Sequence, residues 1–205
     1  MSFTRVKICG LTRPQDVDAA VAAGADALGF VFTPRSKRYL ETGLARELVQ
    51  RVPAFVARVG LFMDQDIEEI GRVLDTVPLN LLQFHGRESR ALCTAFALPY
   101  VKALAMASEG GAMAATDYPD AAALLLDSHE PGAPGGTGKT FDWANIPPLP
   151  RPLVLAGGLT PANVARAVRE VRPWAVDVSS GVESAPGVKS IEKMYEFIRE
   201  AKREN

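Results

Sequence analysis

The sequence predicts an α/β protein, a single (β/α)8 TIM barrel spanning residues 1–205. Three observations carry that expectation. Eight short apolar runs alternate with helix-like stretches, and such alternation implies parallel strands joined by right-handed crossovers. Eight units across the chain average about 26 residues, a compact strand–helix unit near the lower end of this fold's size range. The turn after the first run, Cys9-Gly10-Leu11-Thr12, lacks the G-x-G-x-x-G loop that usually opens the main rival, a doubly wound open sheet.

The eight runs fall in order along the chain. They are Val6-Lys7-Ile8-Cys9, Ala27-Leu28-Gly29-Phe30-Val31-Phe32, residues 55–62, Leu81-Leu82-Gln83-Phe84, Tyr100-Val101-Lys102-Ala103-Leu104, residues 123–126, Leu153-Val154-Leu155-Ala156 and Ala175-Val176-Asp177-Val178. Between them, residues 14–21 read as a helix after Thr12, the expected N-cap, with Gly24 as its stop. Residues 161–168 read as a helix after Thr160, with Pro161 in the first turn where its missing N–H costs nothing. Residues 192–202 close the chain with Met194, Phe197, Ile198 and Ala201 at helical spacing. Successive side chains on a strand face opposite sides. If Val6 and Ile8 face the helices, Lys7, Cys9, Arg58, Gln83, His85, Lys102, Asp127, Asp177 and Ser179 are expected to face the barrel axis. Buried charges are costly unless paired, so these groups either form internal salt bridges or meet a charged ligand.

Composition narrows the function classes. Lys+Arg is 23 and Asp+Glu is 24, which lacks the basic excess of a nucleic-acid or membrane-surface binder. Charged residues at 23% and hydrophobic ones at 47% fit a globular chain rather than a disordered one. A chain this long buries roughly 70% of its unfolded surface and needs no disulfide or structural metal. Cys9 and Cys93 stand far apart with no C-x-x-C, and His85 and His129 are the only histidines, so no metal site is expected. The N-terminus carries no apolar signal core and no run of about 20 apolar residues appears, so the expected location is the cytoplasm.

The candidate chemistry gathers at the carboxyl ends of the strands, where barrel active sites lie. Cys9 ends the first run and Asp127 follows the sixth, which makes a thiol–carboxyl pair for acid–base work. Taken singly, a lone cysteine in an apolar strand is more often structural. Cys93, inside a helical stretch, reads as a small core residue. Gly157-Gly158 and Ser180-Gly181 follow the seventh and eighth runs, where barrels often build phosphate sites from backbone N–H groups and a helix N-terminus. Thr33-Pro34-Arg35-Ser36-Lys37-Arg38-Tyr39 is a basic loop on the same face, either solvated or holding a second acidic group such as a carboxylate. The glycine-rich stretch 128–140 does not fit a Walker A loop and is expected to act as a mobile lid or wall.

Several of these segments resemble phosphoribosylanthranilate isomerase. The resemblance rests on Val6-Lys7-Ile8-Cys9-Gly10-Leu11-Thr12, residues 24–32, Ser36-Lys37-Arg38-Tyr39, Gln83-Phe84-His85-Gly86, residues 135–143, Leu155-Ala156-Gly157-Gly158-Leu159 and residues 176–183, all in order. Residues 105–122 carry no motif. The resemblance implies a cofactor-free barrel acting on N-(5-phospho-β-D-ribosyl)anthranilate in tryptophan biosynthesis, and the chain is expected to be a monomer. It further implies Cys9 as general base, Asp127 as general acid and Arg38 as the holder of the anthranilate carboxylate. Indole-glycerol-phosphate synthase is a second barrel of this kind, but it would want a catalytic lysine and an added N-terminal segment. A non-catalytic sensor of phosphorylated metabolites would keep the glycine loops and have no use for both Cys9 and Asp127.

Overall fold

The computed structural model describes residues 3–106, 113–128 and 141–203. Eight strands form a closed parallel barrel: β1 (Arg5–Cys9), β2 (Ala27–Val31), β3 (Ala57–Phe62), β4 (Leu81–Phe84), β5 (Tyr100–Ala105), β6 (Ala123–Asp127), β7 (Leu153–Leu155) and β8 (Ala175–Val178). Each pairs with its sequence neighbour, and β1 closes the ring on β8 with Lys7 opposite Asp177. These are the eight apolar runs, shifted by a residue or two at their ends.

The helices are α1 (Pro14–Ala22), α2 (Thr42–Gln50), α3 (Ile67–Thr76), α4 (Arg90–Cys93), α5 (Pro161–Val171) and α6 (Ile191–Arg203). The strict strand–helix alternation breaks twice among the described residues. A single 3-10 helix, Met113–Asp117, lies between β5 and β6, and another, Trp143–Asn145, between β6 and β7. After β8 the chain adds a small hairpin of β9 (Glu183–Ala185) and β10 (Val188–Lys189) before α6.

Local chemistry sets the helix ends. Thr12 is not the cap of α1: Arg13 occupies that position with extended backbone. The residue before a proline is pushed out of the helical region, so the helix starts at Pro14 and Thr12 falls one residue too early. The Thr12 hydroxyl instead donates to the Gly187 carbonyl at 2.5 Å, tying α1 to the β9–β10 turn. Thr160 does precede α5, where its backbone N–H donates to Asn163 Oδ1 at 2.8 Å. In α3, Asp66 and Glu69 cap each other's backbone N–H groups. In α6, Met194, Phe197, Ile198 and Ala201 are all buried, as their spacing requires.

Side chains sort into two layers. The outer layer lies between barrel and helices and includes Ile8, Leu28, Phe62, Phe84, Leu124 and Phe197. The inner layer fills the barrel with smaller groups, among them Val101, Ala103, Ala123, Leu125, Val154 and Ala175. Lys102 and Arg58 do not face the axis as expected. Lys102 lies between Val101 and Ala103, which both point inward, so alternation sends it outward with Tyr100 and Leu104. Arg58 shares its side of β3 with Phe62 and pairs in register with outward-facing Leu28. No helix among the described residues is long and apolar enough to cross a membrane.

Candidate functional site

Alternation along four strands delivers polar side chains to one pocket of about 390 Å³ at the carboxyl ends of the barrel. Cys9 comes from the end of β1, Gln83 and His85 from β4, Asp127 from β6, and Asp177 and Ser179 from β8. The loop after β2 adds Arg35 and Arg38. The structure therefore brings together Cys9, Asp127 and Arg38. Lys37, the other cation singled out in that loop, is exposed and is not part of the lining.

Cys9 is enclosed by opposing influences. A Cβ added to Gly29 would stand 2.7 Å from the Cys9 Sγ and 3.0 Å from the Lys7 Nζ, so only glycine leaves room for both groups on this side. Lys7 is buried and pairs with Asp177 at 3.0 Å. Burial pushes the Cys9 thiol above its ordinary value; the positive Lys7 pulls it down, Asp177 pushes it up, and Lys189 pulls it down. Burial alone would lower the Lys7 value, but Asp177 and Cys9 outweigh it and the ammonium stays charged. A fixed cation thus stands ready beside the thiol to stabilise a thiolate.

Arg38 is held by a partner that sequence reading did not find. Its Nε and Nη2 donate to the two carboxylate oxygens of Glu183 at 2.7 and 2.8 Å, a fork-to-fork pair that leaves Nη1 outside it. Lys189 is buried and donates to the same Glu183 at 2.9 Å and to the Ser179 carbonyl at 3.0 Å. Burial would raise the Glu183 carboxyl, but Arg38 and Lys189 together hold it below its ordinary range. Glu183 stood within one of the motif segments; nothing in sequence linked it to Arg38, 145 positions away.

On the far arc of the pocket, Gln83 Nε2 lies 3.1 Å from His85 Nδ1, and His85 Nε2 lies 3.5 Å from Asp127 Oδ2. Behind them, outside the barrel, Lys102 and Glu88 form a buried pair at 3.0 Å. Glu88 also accepts from the backbone N–H groups of Asp64 and Gly86, while Lys102 donates to the Gly86 carbonyl at 2.7 Å. This pair fixes the loops that follow β3 and β4.

Gly157, Gly158, Ser180 and Gly181 are not among the pocket's lining residues; they lie in the adjoining loops after β7 and β8. Those loops touch. A Cβ on Gly181 would sit 1.9 Å from the Leu159 carbonyl oxygen, and one on Gly157 would sit 2.5 Å from the Ser128 backbone nitrogen. Close packing is reason enough for glycine at both positions. The 128–140 segment expected to form a lid lies outside the described residues apart from Ser128, as does His129.

Comparison with known proteins fits this geometry. The family model described as N-(5'phosphoribosyl)anthranilate (PRA) isomerase matches residues 6–200. An N-(5'-phosphoribosyl)anthranilate isomerase of Thiobacillus denitrificans is 54% identical over 200 residues, covering 97% of this chain and 98% of the relative. A crystal structure of phosphoribosyl anthranilate isomerase from Thermotoga maritima superimposes with a TM-score of 0.89 at 45% identity, covering 97% of this chain and 98% of that one. A second solved isomerase, in complex with reduced 1-(o-carboxyphenylamino)-1-deoxyribulose 5-phosphate, matches with a TM-score of 0.86 at 43% identity and the same coverage. With nearly its whole length matched in both sequence and fold, the chain belongs to the N-(5'-phosphoribosyl)anthranilate isomerase family.

Proposed function

We propose that this chain converts N-(5-phospho-β-D-ribosyl)anthranilate to 1-(2-carboxyphenylamino)-1-deoxy-D-ribulose 5-phosphate by an acid–base Amadori rearrangement, a step of tryptophan biosynthesis. The observation that carries it is the presence of a thiol, Cys9, and a carboxyl, Asp127, on separate arcs of one pocket, with a guanidinium, Arg38, at its edge.

In this reading Asp127 donates a proton to the ribose ring oxygen, and the ring opens to a protonated Schiff base. Cys9, as thiolate beside Lys7, removes the proton from C2′. The resulting enolamine tautomerises to the ketone. Substrate and product are isomers, and every step is a proton transfer, so the chemistry asks for no cofactor or metal. Arg38 turns its Nη1 to the anthranilate carboxylate while Glu183 fixes the other side of the guanidinium. Backbone N–H groups of Gly157, Gly158, Ser180 and Gly181 hold the phosphate, aided by the N-terminus of α5. Anchoring both ends places C2′ at the base. We propose further that it works as a monomer in the cytoplasm on a small molecule alone, without nucleic acid or membrane.

The test is turnover of phosphoribosylanthranilate by the purified chain with no added metal, beside Asp127→Asn, which keeps the shape and removes the proton. Turnover by the parent chain and a loss of roughly 10²–10⁴-fold in the variant are expected. A parent chain without turnover refutes the reaction. Full activity in Asp127→Asn removes Asp127 from the acid role and passes it to another inward carboxyl, Asp177 first.

A further inference from the structure

We infer that Gln83 is a positioning residue that selects the tautomer of His85: its amide keeps Nδ1 bare, so the ring hydrogen sits on Nε2 and is aimed at Asp127. The inference rests on the proposed role of Asp127 as the acid.

Gln83 lies on β4 and His85 directly follows the strand, two residues on, and both side chains line the pocket. Gln83 is 1% exposed and is flanked in register by Leu61 on β3 and Val101 on β5. Its Nε2 meets His85 Nδ1 at 3.1 Å. An amide nitrogen only donates, so Nδ1 must accept, and a neutral imidazole then carries its single hydrogen on Nε2. That nitrogen faces Asp127 Oδ2 at 3.5 Å. Catalytic contacts of this length commonly tighten when substrate closes the site. The backbone on either side of the ring is pinned as well, since Lys102 donates to the carbonyls of Phe84 and Gly86 at 3.3 and 2.7 Å.

One consequence follows for the reaction. Once Asp127 has delivered its proton, the new carboxylate meets an N–H on its own side of the pocket, and the 3.5 Å contact shortens as the charge develops. The interaction strengthens along the step and therefore acts on kcat rather than on substrate binding.

The chain has only two histidines, which makes the tautomer directly readable by nitrogen NMR of protein labelled in histidine. His129→Gln assigns the remaining ring to His85. At alkaline pH, where an imidazole is neutral, His85 should show hydrogen on Nε2 and a bare Nδ1. Gln83→Glu places an acceptor at the same point and should move the hydrogen to Nδ1. Gln83→Met removes the donor without adding charge, and it should lower kcat roughly 3–10-fold, the worth of one neutral hydrogen bond, with KM unchanged. A parent ring protonated on Nδ1, a ring indifferent to Gln83→Glu, or a Gln83→Met variant that raises KM while keeping kcat would each overturn the inference. The NMR arm needs no substrate. A chain with this tautomer and no turnover would refute the proposed reaction and leave the assignment of the ring standing.

Discussion

Arg38→Ala isolates one anchoring group from the chemistry. The guanidinium is bound to Glu183 through Nε and Nη2, and the proposal gives Nη1 to the substrate carboxylate. Removing it leaves Glu183 with Lys189 at 2.9 Å, so no buried carboxylate is stranded and the variant should fold. A hydrogen bond between charged groups contributes about 1.5–3 kcal/mol, which translates into a KM increase of roughly 10–150-fold. The upper half of that range is expected, because the Glu183 charge loses one of its two cations and faces an anionic substrate. The carboxylate lies away from the reacting carbon, so kcat should hold within about threefold, the mark of binding shared equally by ground and transition states. Steady-state turnover, followed optically through the anthranilate ring, separates the two constants. An unchanged KM in Arg38→Ala with a large increase in Arg35→Ala would refute the reasoning. Arg35 lines the same pocket and would then be the carboxylate's partner.

Cys9→Ala should lower kcat by roughly 10²–10⁴-fold with little change in KM. Cys93→Ala should leave turnover intact, since Cys93 is buried in α4 and its thiol is pushed up to about 12, chiefly by burial. Lys102→Met leaves the Glu88 carboxylate buried without its cation and should cost about 3–5 kcal/mol in urea unfolding; a loss under about 1 kcal/mol would contradict the buried pair. Glu183 titrates below its ordinary value near 4.5 in the folded chain, so its contribution to stability is complete above about pH 4.5 and fades as pH falls through the lowered value. The urea midpoints of the parent chain and Glu183→Gln should therefore differ at neutral pH and converge as pH falls through that lowered value; a gap of constant size would show that the carboxylate charge plays no part.

The barrel was legible because parallel strands covered on both faces must be apolar nearly throughout, and eight such runs stand out between helical stretches. The same apolarity hides which side each residue takes. In β5, Val101 and Ala103 suit the narrow interior and Tyr100 and Leu104 the wider outer layer, yet the sequence reads as uniformly apolar around one lysine. Only the partner decides that Lys102 faces outward, and Glu88 lies 14 positions away. Of the candidate site, Cys9, Asp127 and Arg38, which the structure places in one pocket, could be named from their positions after strands and their resemblance to a known family. The pairings that tune them could not. Glu183 reaches Arg38, and Asp177 reaches Lys7, across 145 and 170 positions, and such pairs arise from the closure of the ring rather than from any local pattern.

The brace formed by Lys102 and Glu88 stands on the opposite side of β4 and β5 from the pocket. It secures the loops after β3 and β4 from behind, through backbone atoms of Asp64, Phe84 and Gly86. Inward side chains nearby, such as Leu61 on β3, which lines the pocket, contribute nothing to it. Substitutions there can reshape the cavity while the scaffold that holds the loops stays whole. The arrangement separates the side chains that line the pocket from the ion pair that holds its loops, so a lineage can alter this arc of the pocket without touching that anchor.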